Sequence, residues 1–147
     1  MAEAGETTVT DAVAKFFFFS CFDERVSFSA GLSVLAELKA HNRLDDEHRS
    51  HWVQALHRWK RKLGRVRPRA WSDSPNEHGF MVPTELDLSA WVSYMNTAEA
   101  EEVEAVLFSR VLRFSDEEIA QGLGVTVGTV RYRVGRGLRH LGGYVEP

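Results

Sequence analysis

The sequence predicts an all-α protein: an N-terminal helical unit over residues 1–70, a linker over 71–96, and a C-terminal three-helix unit over 97–147 that contains a helix-turn-helix. Three observations predict it. Apolar residues recur at three- and four-residue spacing in both units, turn-forming residues cluster between them, and Ser and Thr cap residues precede the last helices.

The totals set limits on function. A chain of 147 residues holds one compact domain or two small ones, and 44% apolar with 27% charged residues is the composition of an ordinary globular protein. Cys21 is the only cysteine, so no internal disulfide and no thiolate zinc ribbon can form, which fits a reducing cytoplasm. The apolar run Phe16 to Phe19 is far short of a membrane span, and Glu3, Glu6 and Asp11 stand where a signal peptide needs positive charge. Neither export nor membrane insertion is expected, and the cytoplasm is the expected compartment.

Net charge is only −3, yet charge sign is segregated along the chain. Residues 1–38 set Lys15 and Arg25 against Glu3, Glu6, Asp11, Asp23, Glu24 and Glu37, whereas Lys39 to Ala70 holds ten Lys and Arg against Asp45, Asp46 and Glu47. Val127 to Leu141 carries Arg131, Arg133, Arg136 and Arg139 with no acid. These two basic stretches are where phosphate could bind.

Taken in order, Val9 to Lys39 reads as one or two helices, with Ser27 or Ser29 as the break or cap. Asp45 and Asp46 precede a helix whose Trp52, Val53, Leu56, Trp59 and Leu63 face inward, leaving Arg58, Lys60, Arg61 and Lys62 on the other side. Gly64 and Pro68 end it, and Ser72 to Pro83 carries turn chemistry with little periodicity.

In the C-terminal unit, Thr97 is the expected cap of a helix with acidic Glu99, Glu101 and Glu102 in its first turn and a stripe of Val103, Val106, Leu107, Val111 and Phe114. Ser115 and Glu118 have the spacing of a capping box, and Ile119, Ala120 and Leu123 face inward. Gly124 can take the left-handed conformation after that short helix, and Thr126 can cap the next one. Helices joined so closely must cross steeply.

On a helical wheel Val127, Val130, Val134, Leu138 and Leu141 fall within an arc about 80° wide. The opposite face holds Thr129, Tyr132, Arg136 and Arg139, with Gly128 near its start and Arg131 and Arg133 on the flanks. A DNA major groove about 12 Å wide admits such a helix. Central side chains then meet base edges while flanking arginines reach phosphates, for which the planar guanidinium is suited. The candidate DNA-binding residues are therefore Thr126, Gly128, Thr129, Arg131, Tyr132, Arg133, Gly135, Arg136 and Arg139.

The segment Ser115 to Leu141 resembles region 4 of bacterial sigma-70-family factors, especially the extracytoplasmic-function group. Glu118-Ile119-Ala120, Gly124-Val125, Gly128-Thr129-Val130-Arg131, Arg133, Arg136 and Leu141 sit at that family's spacing. The likeness covers about Ala98 to Leu141. It implies contact with the −35 promoter element through Arg131, Tyr132, Gly135 and Arg136, and docking on the β flap of RNA polymerase. Trp52-Val53-Gln54 through Trp59 resembles only the end of the region 2 helix that opens the −10 element. Residues 1–70 are thus a degenerate or divergent region 2, or an unrelated helical unit for contacts with an anti-sigma factor or another protein.

Other readings stand beside this one. The LuxR type of helix-turn-helix shares the Glu-Ile-Ala and Thr-Val pattern, but the spacing Arg131-Tyr-Arg133 and Arg136-Gly-Leu-Arg139 favours sigma. The basic run Arg58 to Arg69 is a solvated helix face or a second contact to DNA or polymerase. His41, His48, His51 and His57 are irregularly spaced and read as surface residues, not zinc ligands, so no metal or cofactor is expected. The four consecutive phenylalanines are most simply core, but they cannot all face one side of a helix, so one or two are candidates to cover a partner surface. Gly135 and Gly137 each cost about 1 kcal/mol against alanine within a helix, explained by close approach to DNA or by tolerance. No catalytic constellation is present, so an enzyme is not expected. The alternative to a DNA reader is a sigma-mimicking adaptor that binds an anti-sigma factor or RNA polymerase without reading DNA.

Overall fold

The computed structural model describes residues 8–64 and 88–144, which form seven α-helices and no strand. Helix α1 spans Val9–Cys21 and α2 spans Glu24–Ala40; a 3-10 turn at Asp46–His48 leads into α3, Arg49–Leu63. Helix α4 is Leu88–Thr97, and α5, Ala100–Val106, runs on into a π-helical turn at Leu107–Val111. Helices α6, Asp116–Leu123, and α7, Val127–Gly142, complete the fold. None of the described helices is long and apolar enough to cross a membrane.

The break between the first two helices is not at Ser27 or Ser29. It falls at Phe22, which takes a left-handed conformation (φ 51°) and donates its N–H to the Phe18 carbonyl. The Asp23 carboxylate then accepts from Val26 N at 3.1 Å and starts α2, leaving Ser27 buried inside the helix. An ionised cap closer to the apolar run outcompetes the two serines. Gly64 ends α3 with φ 71°, as its sequence position suggests.

Of the stretch read as linker, residues 71–87 lie outside the described residues, and the rest is α4. Trp91 and Tyr94 bury against the core, and Trp91 Nε1 donates to the Phe19 carbonyl at 2.8 Å. Thr97 does not cap the following helix. It is the last residue of α4, its hydroxyl donating to the Ser93 carbonyl at 3.0 Å, and Glu99 precedes α5 without a side-chain cap bond. The α4 ladder continues through Ala98, whose N–H reaches the Tyr94 carbonyl at 2.8 Å, and this draws Thr97 backwards.

One apolar cluster runs through both halves of the chain. Phe16 stacks on Phe108 with ring centroids 5.1 Å apart, and Trp52 meets Phe114 edge-on at 6.3 Å. The phenylalanine run is therefore covered from within: Phe16, Phe17 and Phe18 are buried, and half-buried Phe19 packs edge-on against Trp91 at 6.3 Å. Helix α4 covers Phe19, the phenylalanine left over from the core-facing side of α1. Helix α3 lies on α6 so closely that a methyl at Gly122 would come within 2.6 Å of the Ser50 carbonyl and Val53 Cβ. Polar ties flank the contact. Arg49 pairs with Glu118 at 3.2 Å with its guanidinium 4.8 Å from the Phe114 ring centre, and His57 Nδ1 meets Glu104 at 2.8 Å.

Candidate nucleic-acid interface

The interface is built by local signals. Ser115 Oγ accepts from Glu118 N at 3.1 Å while Ser115 N donates to Glu118 Oε1 at 2.8 Å, closing the capping box at the start of α6. Gly124 ends that helix at φ 70°, and the Thr126 hydroxyl accepts from Thr129 N at 3.1 Å to start α7. Val130 and Val134 are buried, while Val127, Leu138 and Leu141 are partly buried against the same core. That anchoring turns the opposite face to solvent.

Helix α7 runs unbroken to Gly142, so the face stays regular past Arg136. Tyr132 is 62% exposed, and the side chains of Arg131 and Arg136 are 67% and 57% exposed. Arg139, Gly128 and Thr126 are also exposed, Gly135 and Arg133 are intermediate, and half-buried Thr129 shares a 2.9 Å hydroxyl contact with Thr126. Arg139 has no ion-pair partner among the described residues. All nine candidate residues thus lie on one helix and its cap.

Residues 99–141 match the family model for sigma-70, region 4. The matched segment runs from the cap of α5 to the last turn of α7, and it agrees with the arginine spacing that favours sigma. No curated protein and no solved structure gives a match alongside it.

The outward face of α7 carries a feature absent from its own sequence. Although α7 is free of acids, its neighbours bring three carboxylates to its arginines. Arg131 Nε meets Asp116 Oδ2 at 3.0 Å, Arg136 Nε meets Glu102 Oε2 at 3.3 Å, and Arg133 Nη2 lies 3.6 Å from Glu101 Oε2. Glu99, Glu101 and Glu102 were legible only as the acidic first turn of a helix. The missing signal for Glu102 is its spacing of four from Val106, which puts it on the inward face of α5.

Buried Glu102 is the hub of this edge. Besides Arg136, it accepts from Tyr94 Oη at 3.2 Å and from His140 Nδ1 at 3.2 Å, so one carboxylate ties α4, α5 and α7 together. Burial, with the Glu102 charge behind it, pushes the Tyr94 phenol well above its ordinary range and keeps it a neutral donor. The Tyr132 hydroxyl, and then Glu102, raise the Arg136 guanidinium further, so it stays charged. Gly137 is explained here as well. A methyl there would overlap Val106 and lie 2.6 Å from Tyr94 Oη, so this glycine permits helix packing and is not exposed for DNA.

The remaining candidates sit elsewhere. Arg58 pairs with Glu37, Lys60 donates to the Gly64 carbonyl at 3.3 Å, and Lys62 lies 4.4 Å from the Trp59 ring centre; residues 65–69 of that basic run are outside the described residues. His57 is engaged by Glu104, and the donor atoms of Asp45, Glu47 and His48 lie within 4.8 Å of one another on the surface.

Proposed function

We propose that this chain is a sigma-factor-like transcription regulator that reads a −35-like promoter element with α7 and engages RNA polymerase, its β flap included, through region 4. One observation carries the reading: within a segment that matches region 4, an unbroken helix presents Tyr132, Arg131 and Arg136 outward while its valines are held in the core. In the groove, Thr129, Tyr132, Arg136 and Arg139 face base edges, and Arg131 and Arg133 on the two flanks reach phosphates on either wall. Thr126, Gly128 and Gly135 complete the contact surface, the two glycines by leaving the backbone uncovered. Residues 1–70 supply protein contacts, to polymerase or an anti-sigma factor.

The test is fluorescence anisotropy of the full chain on a −35-like duplex at several salt concentrations. Arg131→Ala and Arg136→Ala should each weaken binding by about 1–3 kcal/mol at fixed salt. The logarithm of affinity should fall linearly with the logarithm of salt. Unchanged affinity in both variants would sink the reading.

The adaptor reading is favoured by a different observation, the three arginines already held by carboxylates of the same chain. An adaptor would retain polymerase core or an anti-sigma factor in a pull-down while showing no salt-dependent affinity for any promoter duplex.

A further inference from the structure

Helices α1 and α2 form an antiparallel hairpin whose outer side is apolar. Phe28 is 69% exposed and Leu32, one turn further along α2, is 53% exposed. Beside them runs a groove of about 360 Å³ between the two helices, floored by Val13, Ala14 and Gly31 and walled by Leu35. Isolated exposed apolar residues need no explanation, but a ring standing next to a groove of its own chemistry does.

The stripe has a defined order along α2. Glu24, Phe28, Gly31 with Leu32, Leu35 and Lys39 follow one another at three- and four-residue spacing, an apolar seam with an acid at its first turn and a base at its last. Neither Glu24 nor Lys39 has an ion-pair partner among the described residues. A seam of this kind is complementary to its own reversed copy. Rotating α2 by a half-turn about a point between Gly31 and Leu32 sets Leu32 over the groove at Gly31 of the second copy, a residue buried against Val13, and Phe28 against Leu35. The same rotation sets Glu24 opposite Lys39, twice.

We propose that this face is the interface of a two-fold homodimer, in which two α1–α2 hairpins associate as a four-helix bundle with the α2 helices antiparallel. The opposed ends of the two α2 helices also set their dipoles favourably. The proposal does not depend on the promoter reading above, since association is measured without DNA.

Sedimentation equilibrium of the full chain over a range of concentrations tests it. A dimer is expected, and Phe28→Glu or Leu32→Glu should raise its dissociation constant by about 100-fold or more, because each places two charges in the apolar seam. Both positions are exposed in the monomer, so the helical content and melting of the variants should match the parent. Glu24→Lys and Lys39→Glu should each weaken the dimer by about tenfold, and the double reversal should restore it. A chain that stays monomeric at every concentration would overturn the proposal, including one that instead captures a foreign helix on this face. So would a dimer indifferent to both Glu substitutions, or a double reversal no stronger than the single ones.

Discussion

Gly135 and Gly137 lie two residues apart on α7, yet an alanine meets different surroundings at each. At Gly135 the nearest foreign atom is Arg139 Nη1 at 3.6 Å, an ordinary contact with a flexible side chain. Gly135→Ala should therefore stabilise the protein by about 0.5–1 kcal/mol through helix propensity. Gly137→Ala forces a methyl into Val106 and Tyr94 and should cost about 1–3 kcal/mol. Urea melts of the two variants check the pair, and equal shifts would refute the packing account. The carboxylates on the arginines give a second prediction at this scale. A phosphate must displace Glu101 from Arg133 and Asp116 from Arg131, so Glu101→Gln and Asp116→Asn should tighten duplex binding by about two- to fivefold each at low salt. The gain should shrink as salt rises. Anisotropy titrations in which either variant binds more weakly than the parent would show that these acids assist binding and do not compete with it.

The elements divide by how far away their determinants lie. Helices α6 and α7 are legible because Ser115, Glu118, Gly124 and Thr126 act within four residues of themselves, and the valine stripe of α7 is unambiguous. By contrast, α4 lies in the stretch read as linker, although Asp87 stands before it in the sequence, and it is tied to the core by Trp91 reaching Phe19, 72 positions away. The turn at Phe22 escapes notice because phenylalanine rarely adopts a positive φ, and Arg113 at φ 60° after the π-helical turn is a similar case. The outward face of α7 that carries the nine candidate residues was readable from its own sequence, but the carboxylates beside it were not, since α5 and α6 supply them through packing. The join between α3 and α5 has a pH signature. Hydrogen bonding to Glu104 raises the His57 pKa above its ordinary 6.5, with burial opposing. The protonated pair thus contributes fully below pH 6.5 and is lost as pH climbs through the raised value. Wild-type stability should fall across that upper window by about 1 kcal/mol or less, and His57→Gln should flatten the curve there. An unchanged slope in the variant would assign the effect to other groups.

At the scale of the molecule, the decisive fact is that the surface behind the segment matching region 4 is not free. Helix α6 rests on α3 across Gly122, Phe114 is clasped between Trp52 and Arg49, and Phe108 is stacked on Phe16. Removing the N-terminal helices would bare those aromatic faces, so the orientation of α7 depends on residues that come nowhere near it. Trp52 is the sharpest probe, being fully buried with its indole N–H on the Arg43 carbonyl at 2.7 Å. Trp52→Ala should cost about 3–5 kcal/mol, a large share of the roughly 5–15 kcal/mol that holds a domain of this size together. Because the core is shared, the loss should lower one common transition: near-UV aromatic signal, far-UV helicity and duplex binding should fail together on heating. If the N-terminal helices instead melted first while α5 to α7 kept their helicity and their affinity for DNA, α5 to α7 would be an independent module, and the contacts of α3 would be incidental to it.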